Sequence, residues 1–349
     1  MRDRTPPFRR QVLGGLILLA TAFGAGPSAA ADPALALALP IDCVPGETCW
    51  IVNYVDHDPG PGVRDYACGQ ATYNGAGGNA HNGTDFAIRD GRAMREGVAV
   101  LAAADGVVTA ARDGEADADL KASAPPVSGG KECGNGVVLD HGNGWETQYC
   151  HLRRGSVAVA PRRKVRAGER LGLVGLSGFT QFPHLHMTVR HAGKTIDPFV
   201  GTIRSSGCGL GEAPLWRPPT LAALPYTLNV VYHAGFADEK PAAAKARDGG
   251  YADSALARSI PALVLWADLF NVRTGHRIVL SIRGPDGQTV SESTYPVEKD
   301  QARLFIFAGK PLKGSQWPAG DYEGVIRLEG GDGAPAARPS EMTVRATLR

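Results

Sequence analysis

The run Phe182-Pro183-His184-Leu185-His186-Met187-Thr188-Val189-Arg190 constrains the fold more than any other stretch of the chain. Proline has no N–H to give to a ladder, so Pro183 suits the first position of a strand. The residues after it alternate and include the β-branched Thr188 and Val189, which argues for a strand over a helix. Positions i and i+2 of a strand share a face, so His184 and His186 point one way and Leu185 the other. Two imidazoles side by side on a sheet can hold a metal, or hold a metal and move a proton. They can equally be two surface histidines, because His-x-His by itself is a short pattern.

The same strand-and-turn punctuation runs through residues 43–205, where no convincing amphipathic helix is visible. Asp32 to about Pro40 is an alanine-rich lead-in expected to be mobile, and Cys43 to Tyr73 reads as loop with one short strand near Trp50–Tyr54. In His81-Asn82-Gly83-Thr84-Asp85 the spacing of His81 and Asp85 would suit a helix face, but Gly83 and the flanking glycines argue against a helix. The segment instead predicts a loop that enters a strand at Thr84, with His81 on the loop and Asp85 early in the strand. Val98–Ala102 and Gly106–Ala110 are short β-type runs around the turn Ala104-Asp105-Gly106. Asp113–Lys131 has no period and is expected to be a surface insertion bordering a substrate groove. Gly136–Asp140 and Trp145–Leu152 predict a hairpin across Gly142-Asn143-Gly144, with His151 at its end. Gly172, Gly175 and Gly178 are not a phosphate loop, since no helix follows them; tight turns explain them better.

The ends and the composition bound the class. Arg2, Arg4, Arg9 and Arg10 precede the apolar run Val12–Phe23, and Ser28-Ala29-Ala30-Ala31 offers small residues to a signal peptidase. This predicts a secretory signal over residues 1–31, with Arg9-Arg10 also allowing a twin-arginine route; an uncleaved membrane anchor is the other reading. The first 31 residues carry a net +3, so the chain's formal +2 becomes −1 once they are removed. A nearly neutral protein gives no electrostatic argument for nucleic acid, and no later segment is apolar enough to span a membrane. Six cysteines in an exported chain suggest disulfides. Cys43 and Cys49 can close a small loop. Cys133 and Cys150 sit at matching distances from the 141–144 turn, while Cys68 and Cys208 are left over. A thiolate zinc site would need Cys-x-x-Cys spacing, which is absent.

Ser205 to Pro225, with Pro214, Pro218 and Pro219 inside it, reads as a domain boundary. Beyond it, Tyr226–Tyr232, Ile278–Arg283, Arg303–Phe307 and Tyr322–Leu328 alternate between recurrent turns, which predicts a small immunoglobulin-like sandwich. Residues 236–259 are expected to be a long loop, and His233 and His276 to be structural or solvent-facing.

Of the nine histidines, His81, His151, His184 and His186 stand out, together with Asp85. Three protein ligands and a water is the usual catalytic zinc arrangement, and imidazole with carboxylate suits Zn²⁺ better than Mg²⁺ or Ca²⁺. On His81-x-x-x-Asp85, Tyr149-Cys150-His151-Leu152 and Pro183-His184-Leu185-His186, in that order, the sequence resembles the lysostaphin-type (LytM-like) zinc metallopeptidases, the peptidoglycan endopeptidases. The resemblance covers about residues 75–200. It implies that His81, Asp85 and His186 bind Zn²⁺, that His151 and His184 are the catalytic pair, and that the site lies in an open groove of an antiparallel β fold. The chain departs from the family at Cys150, where alanine or serine is often found, at Phe182, where a small residue is common, and in the longer 113–131 loop.

The resulting expectation is an all-β protein. It comprises a signal peptide over 1–31, a loop-rich extension over 32–74, a zinc metallopeptidase domain over 75–205, a linker over 206–225 and a sandwich accessory domain over 226–349. The expected task is hydrolysis of peptide cross-links in bacterial peptidoglycan, in the periplasm or after secretion. The alternative is a silent member of the same fold that activates another wall hydrolase. A lipoyl- or biotinyl-type carrier fails for want of a lysine at a tight hairpin tip. The C-terminal half is the segment open to a protein partner.

Overall fold

A computed structural model describes residues 1, 35–74, 79–118, 129–203, 207–251, 255–330 and 341–349. Residues 2–31 of the expected signal peptide, residues 119–128 of the predicted insertion and residues 32–34 of the lead-in lie outside them. Among the described residues no helix is long and apolar enough to cross a membrane.

Turns, not helices, cut the chain into elements, and the fold is nearly all β. The first half contains β1 (Cys49–Asn53), β2 (Thr84–Ile88), β3 (Ala99–Leu101), β4 (Gly106–Arg112), β5 (Asn135–Gly142), β6 (Trp145–Leu152), β7 (Lys164–Val165), β8 (Arg170–Leu173), β9 (His184–His191) and β10 (Lys194–Ile196). One antiparallel sheet runs β1-β2-β9-β6-β5-β4-β7, with β10 added to β9, and β3 pairs with β8 separately. The β5–β6 hairpin closes through Asn143 and Gly144, whose φ values of 50° and 78° are the left-handed pair that a two-residue hairpin turn demands. β9 lies between β2 and β6. Its register sets Asp85 opposite His186 on one side and Cys150 opposite His186 on the other.

Two expectations need correcting here. A short helix, α1 (Gly91–Glu96), does form: Asp90 caps its first turn by accepting from the Ala93 amide, and Gly97 ends it. Six residues are too few to show a helical period. The lead-in is not loose where it is described. Leu37 is fully buried and its amide donates to the Leu215 carbonyl. Alanine-rich composition gave no sign that a neighbour was waiting.

The second half contains β11 (Val230–Ala237), β12 (Ala255–Leu256), β13 (Ala262–Val272), β14 (Arg277–Arg283), β15 (Thr289–Pro296), β16 (Gln301–Pro311), β17 (Gly320–Glu329) and β18 (Glu341–Leu348). A three-stranded sheet, β11-β13-β16, and a five-stranded sheet, β12-β18-β17-β14-β15, share one core that includes Leu265, Ile278 and Ile326. The 236–259 stretch is not one long loop, because β11 runs to Ala237 and a five-residue helix covers Ala243–Arg247. His233 and His276 are both buried.

Trp50, Val52 and Ala87 from the first half pack with Val230, Tyr232 and Phe270 from the second, and Phe182 lies against them. The described residues from Leu35 to Arg349 form one compact unit. All six cysteines are paired: Cys43–Cys49, Cys133–Cys150, and the two left over in the sequence, Cys68–Cys208, whose Cα atoms are 5.3 Å apart.

Candidate metal centre and its groove

β2 and β9 bring the donors together by register alone. Residues directly opposite on neighbouring antiparallel strands face the same side, so Asp85 and His186 meet without help from a loop. The carboxylate Oδ1 lies 2.9 Å from His186 Nδ1. His81, on the loop before β2, puts its Nε2 3.2 Å from that same His186 nitrogen and 3.3 Å from Asp85 Oδ1. A tetrahedral ion with bonds of about 2.0–2.1 Å needs donor–donor edges of about 3.3–3.4 Å. The three atoms therefore suit zinc in spacing as well as in chemistry. Among the described residues, His81, Asp85 and His186 are the one group of three or more such side chains close enough to hold an ion.

Each of these residues has its other polar atom occupied. His81 Nδ1–H donates to the Tyr54 carbonyl at 2.7 Å. Asp85 Oδ2 accepts from Asn53 Nδ2 at 2.9 Å. His186 Nε2 reaches Thr188 Oγ1 at 3.1 Å and Asn82 Oδ1 at 3.2 Å. Such outer partners fix tautomer and ring plane, leaving one lone pair per residue aimed inward. Gly83 makes room for this: a Cβ there would sit 2.6 Å from Cε1 and Nε2 of His186 and 2.7 Å from the Met187 carbonyl oxygen.

His151 reaches the site by a different route. By the strand period it should face away from Cys150. Between the pairs Asn135–Leu152 and Val137–Tyr149, however, β6 carries one residue more than β5, and His151 has φ 63°. This bulge re-aims the side chain. Its amide donates to the Cys133 carbonyl and its Nδ1–H to the Ser177 carbonyl at 2.8 Å, which leaves Nε2 as an acceptor. The ring centroid lies 4.6 Å from that of His184 and 6.0 Å from that of His186. His184 Nδ1–H donates to the Phe182 carbonyl at 2.9 Å, and its Nε2 lies 3.5 Å from Asp85 Oδ1.

Burial sets the protonation of the cluster. It pushes His151 well below the ordinary histidine range, with His184 and His186 adding to the effect, so His151 is a neutral base near pH 7. Burial also lowers His186, against the pull of Asp85. For Asp85 burial acts upward, but His81 and His184 outweigh it and hold the carboxyl well below its usual range. For His81 burial acts downward and Asp85 outweighs it, so its pKa is raised.

A groove of about 460 Å³ opens beside the cluster, lined among others by Tyr73, His81, His151, Phe179, His186 and Arg190. Gly130, at the described end of the 113–131 insertion, also lines it. The structure thus assembles all five side chains singled out in the sequence. Asn53, Asn82, Ser177 and Thr188 were missed, as were the carbonyls of Tyr54 and Phe182. Backbone oxygens and amides of this kind carry no motif. Gly83 was visible but was read only as a helix breaker.

Two imidazoles and a carboxylate converging beside an open groove on an antiparallel sheet make a donor set that could hold a divalent metal ion. The comparisons point to one family: the model of Peptidase family M23 matches residues 79–198. Over 123 residues it is 34% identical to the peptidoglycan DD-endopeptidase ShyA of Vibrio cholerae, a match covering 35% of this chain and 23% of ShyA. Over 118 residues it is 36% identical to the DD-carboxypeptidase/endopeptidase Mpg of Neisseria meningitidis, covering 34% of this chain and 22% of Mpg. The chain therefore spans less than a quarter of the length of either relative. The catalytic domain of lysostaphin from Staphylococcus simulans superposes with a TM-score of 0.26 at 22% identity, covering 36% of this chain and 80% of that domain.

Proposed function

We propose that this chain is an exported zinc metalloendopeptidase that cleaves peptide bonds in peptidoglycan cross-links. The observation that carries the proposal is the triangle of His81 Nε2, Asp85 Oδ1 and His186 Nδ1, with edges of 2.9–3.3 Å. These three atoms would hold the zinc. Bound there, zinc lowers the pKa of a water toward about 7 and polarises the scissile carbonyl. His151, neutral and with Nε2 bare, accepts the proton of the attacking water and returns it to the leaving amine. His184, its plane set by the Phe182 carbonyl, is the second imidazole of the catalytic pair, its ring 4.6 Å from that of His151. The groove takes an extended peptide across this centre. The likeness to a peptidoglycan DD-endopeptidase supports a wall substrate, and the disulfides favour an oxidising compartment.

Metal analysis of the purified protein should find about one zinc per chain. His186→Ala should lose the metal. His151→Ala should keep it and lose most of the activity, about 10²- to 10⁴-fold. Digestion of purified sacculi, with mass spectrometry of the new termini, identifies the bond cut. A wild-type protein that holds no zinc, releases no termini and yet stimulates another wall hydrolase would replace this reading with the activator one.

A further inference from the structure

Phe182 holds His184 in two ways. Its carbonyl takes the Nδ1 proton, and its ring stacks on the imidazole with centroids 4.4 Å apart and planes at 26°. Thr180 Oγ1 lies 3.2 Å from the same nitrogen and donates to the Phe182 carbonyl, so the ring of Phe182 is the apolar half of what holds the imidazole. Phe182 is held in turn from the C-terminal half. Phe270 of β13 packs against it at 4.9 Å, and the guanidinium of Arg303, on β16, lies 5.8 Å from its ring centre. Arg303 also lies over the rings of Tyr232 and Phe270, at 5.4 and 5.3 Å. It is anchored by Asp268, fully buried, whose Oδ2 is 2.9 Å from Arg303 Nη2. The same oxygen accepts from the Tyr232 hydroxyl and from Arg247 Nε, each at 2.7 Å.

We infer that the C-terminal half positions His184: the Asp268–Arg303 pair and Phe270 press Phe182 onto the imidazole, making the sandwich the back wall of the reacting centre. The inference rests on His184 taking part in the hydrolysis proposed above. It accounts for a bulky residue at a position where the resembled family commonly has a small one. Without a ring at 182, or without the planar cation behind it, the imidazole gains freedom to rotate while the three zinc-holding residues keep their partners. Lysine at 303 keeps the charge opposite Asp268 but not the flat guanidinium that stacks on aromatic faces, so Arg303→Lys tests the packing without burying an unpaired carboxylate.

The test compares wild type with Phe182→Leu, Phe182→Tyr, Phe270→Leu and Arg303→Lys, each as purified, full-length and zinc-loaded. Proton–carbon spectra of protein labelled at histidine report the His184 ring directly, because a stacked aromatic shifts its signals. Phe182→Leu and Arg303→Lys should both move the His184 signals and leave zinc content and thermal midpoint near wild type. They should lower kcat about two- to tenfold with little change in KM, and Phe182→Tyr should restore both. Arg303 does not touch His184, so a purely structural role at the seam would leave those signals in place. Unmoved His184 signals in Arg303→Lys with wild-type kcat would overturn the inference, as would activity loss that only tracks loss of zinc or of folded protein. If the wild type cleaves no peptidoglycan, the hydrolase reading fails on its own, and the His184 signals still decide whether the sandwich governs that ring.

Discussion

Asp85 offers one oxygen to its neighbours because Asn53 occupies the other. Without that donor the carboxylate can rotate, and a buried acceptor loses its partner. Asn53→Ala should therefore weaken zinc binding about 10- to 100-fold, as is usual for an outer partner, while the fold persists. Competition against a chromogenic chelator measures this, and an unchanged affinity would remove Asn53 from the site. Asn53 also shows the limit of reading the site from the sequence. His-x-His on a strand and His-x-x-x-Asp entering one were legible, since residue type and a period of two are local properties. Asn53 and Ser177 matter only through pairing across β1 and β2 and through a loop that returns to β6, and no local pattern encodes such neighbours.

In β6 the extra residue at Cys150–His151 turns a side chain the pleat would send to the opposite face. The Cys133–Cys150 disulfide sits against this bulge, and Cys133 also takes the His151 amide. Removing the bridge as Cys133→Ser/Cys150→Ser should cost about 3 kcal/mol, the amount expected for closing a loop of this length. Denaturant unfolding reads that loss. Activity at a temperature where the variant is still folded should also fall, because the backbone that aims His151 is freed; full activity there would separate the bridge from the catalytic geometry. At this scale much was legible: the Asn143-Gly144 hairpin, the strand after Pro183 and the all-β class follow from turn chemistry and alternation. The bulge was not, because it exists only as a mismatch between two strands. Helix α1 was not, because it stands on a cap at Asp90 and a stop at Gly97 and has no period.

Across the whole molecule, the seam between the halves carries titratable groups as well as rings. His233 on β11 comes within 3.4 Å of Asp90, the cap of α1. Burial first, and the charge of Arg89 second, push its pKa down to about 3, so the contact is a neutral imidazole beside a carboxyl group and not an ion pair. Above pH 6.5 neither the folded nor the unfolded chain protonates it. As pH falls through 6.5 the unfolded chain takes the proton first, and stability drops until the folded value is reached. This contributes a loss of about 2 kcal/mol by pH 5. Asp90, raised by burial, acts in the opposite sense, so the comparison must be between wild type and His233→Gln. The wild-type stability measured in urea should fall more steeply from pH 7.5 to 5 than that of the variant, and parallel curves would refute the assignment.

The bond between Cys68 and Cys208 spans 140 residues and encloses the segment that carries all five candidate site residues. Exposed loop tips are where proteases cut. One cut anywhere inside that covalent ring leaves a single body, with the severed ends still tethered on both sides of the sheet that holds the candidate site. Limited digestion of a loop inside the ring should yield a species that runs as one band without reductant and as two with it. Two bands without reductant would mean the ring is not closed.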